Sequence, residues 1–115
     1  MTSFRILLAS GALAAGLFAQ VGDARAVIDR TQNDLRRAED FERQKGKEVS
    51  RYDNAQKHLS DFDRDYTRGH FDKGKLNDAI NNLKDVVDHN TLNPQDRDAL
   101  SADLRDLRLV KADRH

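Results

Sequence analysis

The stretch Phe71-Asp72-Lys73-Gly74-Lys75-Leu76 carries the strongest local instruction in the chain, and the fold reads outward from it. An apolar residue stands before an Asp, and a second apolar residue follows at the fourth helical position. That is a hydrophobic staple around an N-cap, and it predicts a helix starting at Asp72. Leu76, Ala79, Ile80, Leu83, Val86 and Val87 then give a broad apolar face, and Asp88-His89-Asn90 ends it. Leu92-Asn93-Pro94 restarts the chain, with Asn93 as cap and Pro94 at the first helical position. Leu100, Leu104, Leu107 and Val110 form the narrow seam of a last helix.

Upstream, apolar residues recur at Ile28, Leu35, Ala38, Phe41, Val49, Tyr52, Ala55, Leu59, Phe62 and Tyr66. Beyond Leu35 most steps are three or four, the period of one helix face. Thr31 with Asp34 resembles a capping box and predicts an ordered start there. Gly46, which weakens a helix by about 1 kcal/mol relative to Ala, predicts a bend or break. Gly69 is the left-handed residue expected just past a helix end. The expected fold is all-α, a small antiparallel bundle or hairpin. A long, bent arm from 28 to 68 meets a hairpin of 72–90 and 94–112 packed on its second half. The expected core is Val49, Tyr52, Leu59, Phe62, Tyr66, Phe71, Leu76, Ile80, Leu83, Val87, Leu100, Leu104 and Leu107. The stretch 27–45, with the fewest apolar anchors, is the expected mobile or docking element.

Composition agrees with a helical domain and removes several functions. The 115 residues hold 20 Lys and Arg against 20 Asp and Glu, with no Cys, no Trp and one Pro. Without Cys there are no disulfides, thiol nucleophiles or thiolate metal sites. Balanced charge speaks against nucleic-acid binding, which needs a basic stripe. Apolar residues are too lean for a large stability surplus, so either a modestly stable monomer or a helix face completed by a partner or a second copy is expected.

The first 26 residues differ from the rest. Arg5 gives a basic start, Ile6 to Ala19 carries no charge, and Ala24-Arg25-Ala26 is a small-x-small exit. These are the parts of a secretory signal peptide, which predicts export to the periplasm or beyond and cleavage after Ala26. The apolar run is short of the roughly 20 residues that a membrane span needs, so membrane contact is expected only through an uncleaved leader. Cleavage leaves a single helical domain over 27–115.

Reactive groups are sparse. Asp61, Asp63, Asp65 and Asp72 occupy positions one, three, five and twelve of an EF-hand calcium loop, and define a cation-binding alternative. Tyr66 stands where that loop needs Gly, and position twelve is Asp in place of Glu. A helix displaying these carboxylates to water is the competing reading. His58, His70, His89 and His115 show no zinc spacing. No Ser or Thr lies in a nucleophile elbow, and no Gly-rich phosphate loop exists. Paired carboxylates on amphipathic helices are expected to face water, with ordinary titration. No catalytic residue and no cofactor are therefore expected.

Leu92-Asn93-Pro94-Gln95-Asp96-Arg97-Asp98-Ala99-Leu100 resembles the Leu-Thr-x-x-Gln turn of the Spy-like periplasmic chaperones. Asn93 replaces the Thr, Asp96 stands where the Gln belongs, and Gln95 comes one position early. The chain as a whole is similar to small exported all-helical bacterial proteins. The resemblance implies a non-enzymatic, stress- or chaperone-like role through contact with another protein or a second copy.

Overall fold

The computed structural model describes residues 24–46 and 48–113. Among them are four helices and no strand: α1 (Ala24–Gln44), α2 (Ser50–Thr67), α3 (Lys73–His89) and α4 (Pro94–Asp113). The expected leader lies outside the described residues, except that Ala24, Arg25 and Ala26 form the first turn of α1.

The two breaks in the first half follow from glycine. Gly46 sits at φ +71 and Gly69 at φ +88, a region that side chains with a Cβ avoid. After α2 the His70 N–H donates to the Asp65 carbonyl and the Gly69 N–H to the Tyr66 carbonyl. That pair of bonds is a Schellman cap. Asp72 caps α3 by accepting from the Lys75 N–H at 3.0 Å, and Asn93 caps α4 by accepting from the Asp96 N–H at 2.8 Å. The expected single bent arm is thus two helices folded back on each other. The expected start at Thr31 is also displaced. Thr31 lies buried inside α1, where its hydroxyl donates to the Val27 carbonyl at 2.7 Å.

Side-chain pairs fix every neighbouring direction as antiparallel. Arg25 reaches Asp63 and Gln56 reaches the Gln32 carbonyl, so α2 runs back along α1. Lys75 meets Asp65 and Arg51 meets Asn90 between α2 and α3. Lys111 meets Asn77, and Arg97 meets the Val87 carbonyl, between α3 and α4. Arg30 with Asp103 and Arg37 with Asp96 close the ring between α4 and α1. Each helix packs on its two neighbours, with α2 against α3 the most extensive contact.

The buried positions step by threes and fours in every helix, as in a left-handed bundle. Leu35 and Ala38 face inward from α1, Tyr52, Leu59 and Phe62 from α2, Leu76, Leu83 and Val86 from α3, and Leu100 and Leu107 from α4. Nine of the thirteen expected core residues are fully enclosed. Val49, Tyr66, Phe71 and Val87 are half-buried against the core, at element ends or beside a residue that fills the seam. Around the Gly69 turn, Phe71 meets Phe62 edge-on at 5.2 Å and Tyr66 at 6.3 Å.

The larger correction concerns α1. Val27 and Ile28 are 0% exposed and Leu35 is 1% exposed, so the stretch 27–45 is part of the core and not a loose arm. The hairpin packs on both halves of the preceding chain, because α4 lies along α1. Ile28→Ala should therefore cost about 2–5 kcal/mol in chemical unfolding. A loss near zero would mean that α1 is not docked.

Candidate functional site

The feature that sets this bundle apart is buried charge along α1. Asp34, Glu39, Glu42, Asp96, Asp103 and Asp106 are all buried. The reason is positional. The inward stripe of α1 runs Ala24, Ile28, Thr31, Leu35, Ala38, Glu42, and that of α4 runs Asp96, Leu100, Asp103, Leu107, Val110. Acids thus occupy seam positions where an apolar residue is usual. The expectation that carboxylates on these helices face water fails for this reason.

Arginines from α1 neutralise most of them. Arg30 forks across the gap, with Nε 2.7 Å from Asp103 Oδ1 and Nη2 2.6 Å from Asp106 Oδ2. Arg105 adds a second contact to Asp106 at 3.2 Å. Arg37 joins Asp34 at 2.9 Å to Asp96 at 3.4 Å, and Asn93 donates to the other oxygen of Asp96 at 2.9 Å. Arg43 pairs with Glu39 one turn away. Asp103 Oδ2 has no N–H donor, and the Asp34 carboxyl lies within hydrogen-bonding reach of Asp103. Burial, with Asp34 beside it and against the pull of Arg30, pushes the Asp103 carboxyl up to about 7. The raised carboxyl of Asp103 is the physical counterpart of that orphan oxygen, since a protonated acid tolerates burial better than a charged one. Burial and the Asp53 carboxyl raise Glu39 in the same way, against Arg43.

Glu42 differs from the other five. Its Oε1 accepts from the Tyr52 hydroxyl at 2.7 Å and from the Asn90 amide at 3.1 Å. Among the described residues no cation pairs with it. Burial pushes the Tyr52 phenol far above its ordinary range, so it remains a donor. Glu42, Tyr52 and Asp96 from α1, α2 and α4, with Asn90 just past the end of α3, all lie buried at the end of the bundle where α1 and α3 finish. Beside them a cleft of about 140 Å³ opens between Phe41 and Leu92.

The four acids of the calcium-loop spacing are placed apart in role. Residues 61 to 67 are helical, so no loop forms there. The Arg64 guanidinium at 2.8 Å holds the Asp61 carboxyl below its usual range. Asp63 pairs with Arg25 at 2.6 Å, and that guanidinium also reaches the Thr67 hydroxyl and lies over the Tyr66 ring. Asp65 is held low by Lys75 at 2.6 Å, and Asp72 serves as the α3 cap. Among the described residues no group of three or more His, Asp or Glu is arranged to hold a metal ion. His58 and His89 each turn Nδ1 to a backbone carbonyl one helical turn back.

Sequence reasoning missed the buried acids because helix periodicity was scored on apolar residues alone. A stripe continued through Thr31, Glu42, Asp96 and Asp103 at seam spacing was the available signal. Compared with protein families, with curated proteins and with solved structures, the chain matches none.

The sign of the pH effect follows from Asp103, whose folded value of about 7 lies above its ordinary 3.8. Its stabilising contribution is complete below about pH 4 and is lost as pH rises through about 7. The melting temperature should fall by about 5–10 °C between about pH 5 and about pH 8. Asp103→Asn, which keeps an acceptor for Arg30 and gains a donor for Asp34, should flatten that slope. A profile that rises across the same window, or an unchanged slope in Asp103→Asn, would contradict the raised Asp103 carboxyl.

Proposed function

We propose that this chain is a non-enzymatic, exported helical protein that acts by binding another protein through an apolar helix face, in a stress- or chaperone-like role. The observation that carries the reading is the α1–α4 seam. There α1 is fastened by Arg30 and Arg37 to buried acids, at positions where apolar packing would hold it more firmly. Buried ion pairs give back much of their attraction as desolvation, so such a seam parts at lower cost than an apolar one. Parting uncovers Val27, Ile28 and Leu35 on one side and Leu100 and Leu107 on the other. An unfolding client would be met by these stripes, and the already exposed Phe41 and Leu109 extend the apolar surface.

Two further points support the reading. The basic start at Arg5 and the uncharged run Ile6 to Ala19 favour export. Among the described residues no helix is long and apolar enough to cross a membrane.

The test pairs crosslinking and pull-down from the periplasm with suppression of aggregation of a heat-unfolded client. The parent should retard aggregation. The double variant Asp34→Leu/Asp103→Leu, which leaves Arg30 to Asp106 and Arg37 to Asp96, should melt higher and protect less. No partner crosslinked and no protection by the parent would overturn the proposal.

A further inference from the structure

The cleft beside Glu42 is built for something the seam does not explain. Its lining is Phe41, Glu42, Lys45, Thr91, Leu92 and Asn93. Glu42 is 2% exposed and meets only neutral donors, so its negative charge has no formal partner among the described residues. A buried carboxylate in that state attracts a cation strongly, because little water screens it. Two helix C-termini lie beside the cleft, against one N-terminus, that of α4 capped by Asn93. Residues 41 to 44 are the last turn of α1, and Thr91 and Leu92 follow the end of α3 at His89. The carbonyl ends of helices favour positive charge. The wall is suited to a cation as well, since the Lys45 ammonium lies 4.5 Å from the centre of the Phe41 ring. That contact is an intramolecular instance of the interaction a ligand would make.

We propose that this cleft is a binding site for a primary alkylammonium group, with Glu42 as counter-charge, the Phe41 face as cation platform and Leu92 against the alkyl stem. The volume, about 140 Å³, suits a chain of a few methylenes and excludes a nucleotide or a large planar ligand. An anion would meet the Glu42 charge, and a divalent ion would find a single carboxylate where several oxygens are needed. Lys45 acts as the internal competitor for the ring face. The site is independent of seam opening and would persist if the client-binding reading failed.

The chemistry has two sources, a free alkylamine and the side chain of a lysine on a polypeptide. The test is an NMR titration of the full chain with n-butylammonium, with Nα-acetyl-lysine amide and with neutral n-butanol. Saturable shifts at the Phe41 ring and the Leu92 methyls are expected in the millimolar range for both amines and not for butanol. Tighter binding of the lysine derivative identifies a polypeptide ligand, and tighter binding of butylammonium identifies a free amine. Lys45→Ala should tighten binding several-fold by removing the competitor. Glu42→Gln, which keeps an acceptor for Tyr52 and Asn90, should weaken it about tenfold or more. Phe41→Ala alters a side chain already 38% exposed, so it leaves the fold intact while removing the platform. Equal shifts with butanol, no saturable shift with either amine, or undiminished binding in both Glu42→Gln and Phe41→Ala would overturn the assignment.

Discussion

Arg30 reaches from α1 to two acids on α4, and the closure of the bundle depends on that fork. Its two donors sit 2.7 and 2.6 Å from Asp103 and Asp106, which are otherwise enclosed. A carboxylate taken from water is tolerated only when its lone pairs are met and its charge is offset. Arg30 does both for one oxygen of each acid. The second oxygen of Asp103 has no such donor and lies beside the Asp34 carboxyl. Remove the guanidinium and two acids one turn apart on α4 stay buried, with Arg105 at 3.2 Å from Asp106 and no cation beside Asp103. The apolar residues of the same two helices contribute burial, but the acids decide whether α4 can lie there at all.

The same logic sets register. At the far end of the bundle, Glu42, Tyr52 and Asp96 come from three different helices, Asn90 caps the end of the fourth, and all lie buried. A one-residue slip of α3 would take the Asn90 amide away from Glu42, and a slip of α2 would take away the Tyr52 hydroxyl. An apolar layer tolerates such slips better, because dispersion contacts carry little direction. Buried polar positions are a well-attested device for choosing among alignments of similar helices. Here the device matters because the helices are alike, each with a stripe of Leu, Ile, Val and Ala at the same spacing.

Much of this architecture can be read without coordinates, and the boundary is instructive. The starts at Asp72 and Asn93, the turns at Gly46 and Gly69 and the core from Tyr52 to Leu107 rest on strong local chemistry, namely caps, positive φ and dense apolar periodicity. The role of α1 is hidden in the sequence because four of the six residues of its inward stripe are Ala, Thr and Glu, which carry little or no hydrophobic signal. Thr31 resembles a cap in sequence because a hydroxyl three residues before an acid looks the same at a helix start and in a helix middle. The distinction lies in what precedes it, and a preceding turn formed by Ala24 to Arg30 decides the matter. The candidate sites were less legible still. The Asp61 to Asp72 spacing was visible, yet its partners Arg25, Arg64 and Lys75 are chosen by tertiary packing. The cleft at Glu42 joins Phe41 to Leu92 across fifty residues of chain, a distance no local pattern spans.

The placement of Ala24 in the first turn of α1 has a consequence for the order of events in the life of the chain. Ala24 is buried, and Arg25 is tied to Asp63 and Thr67 on the adjoining helix. A peptidase that cuts beside Ala26 must find this stretch unwound, because a docked helical turn offers no extended backbone to grip. Under the proposed export, closing of the bundle and trimming of a leader would compete for the same three residues. A chain that folded first would shelter its own scissile bond, and a chain trimmed first would give up Arg25 and anchor its new amino end through Val27 and Ile28.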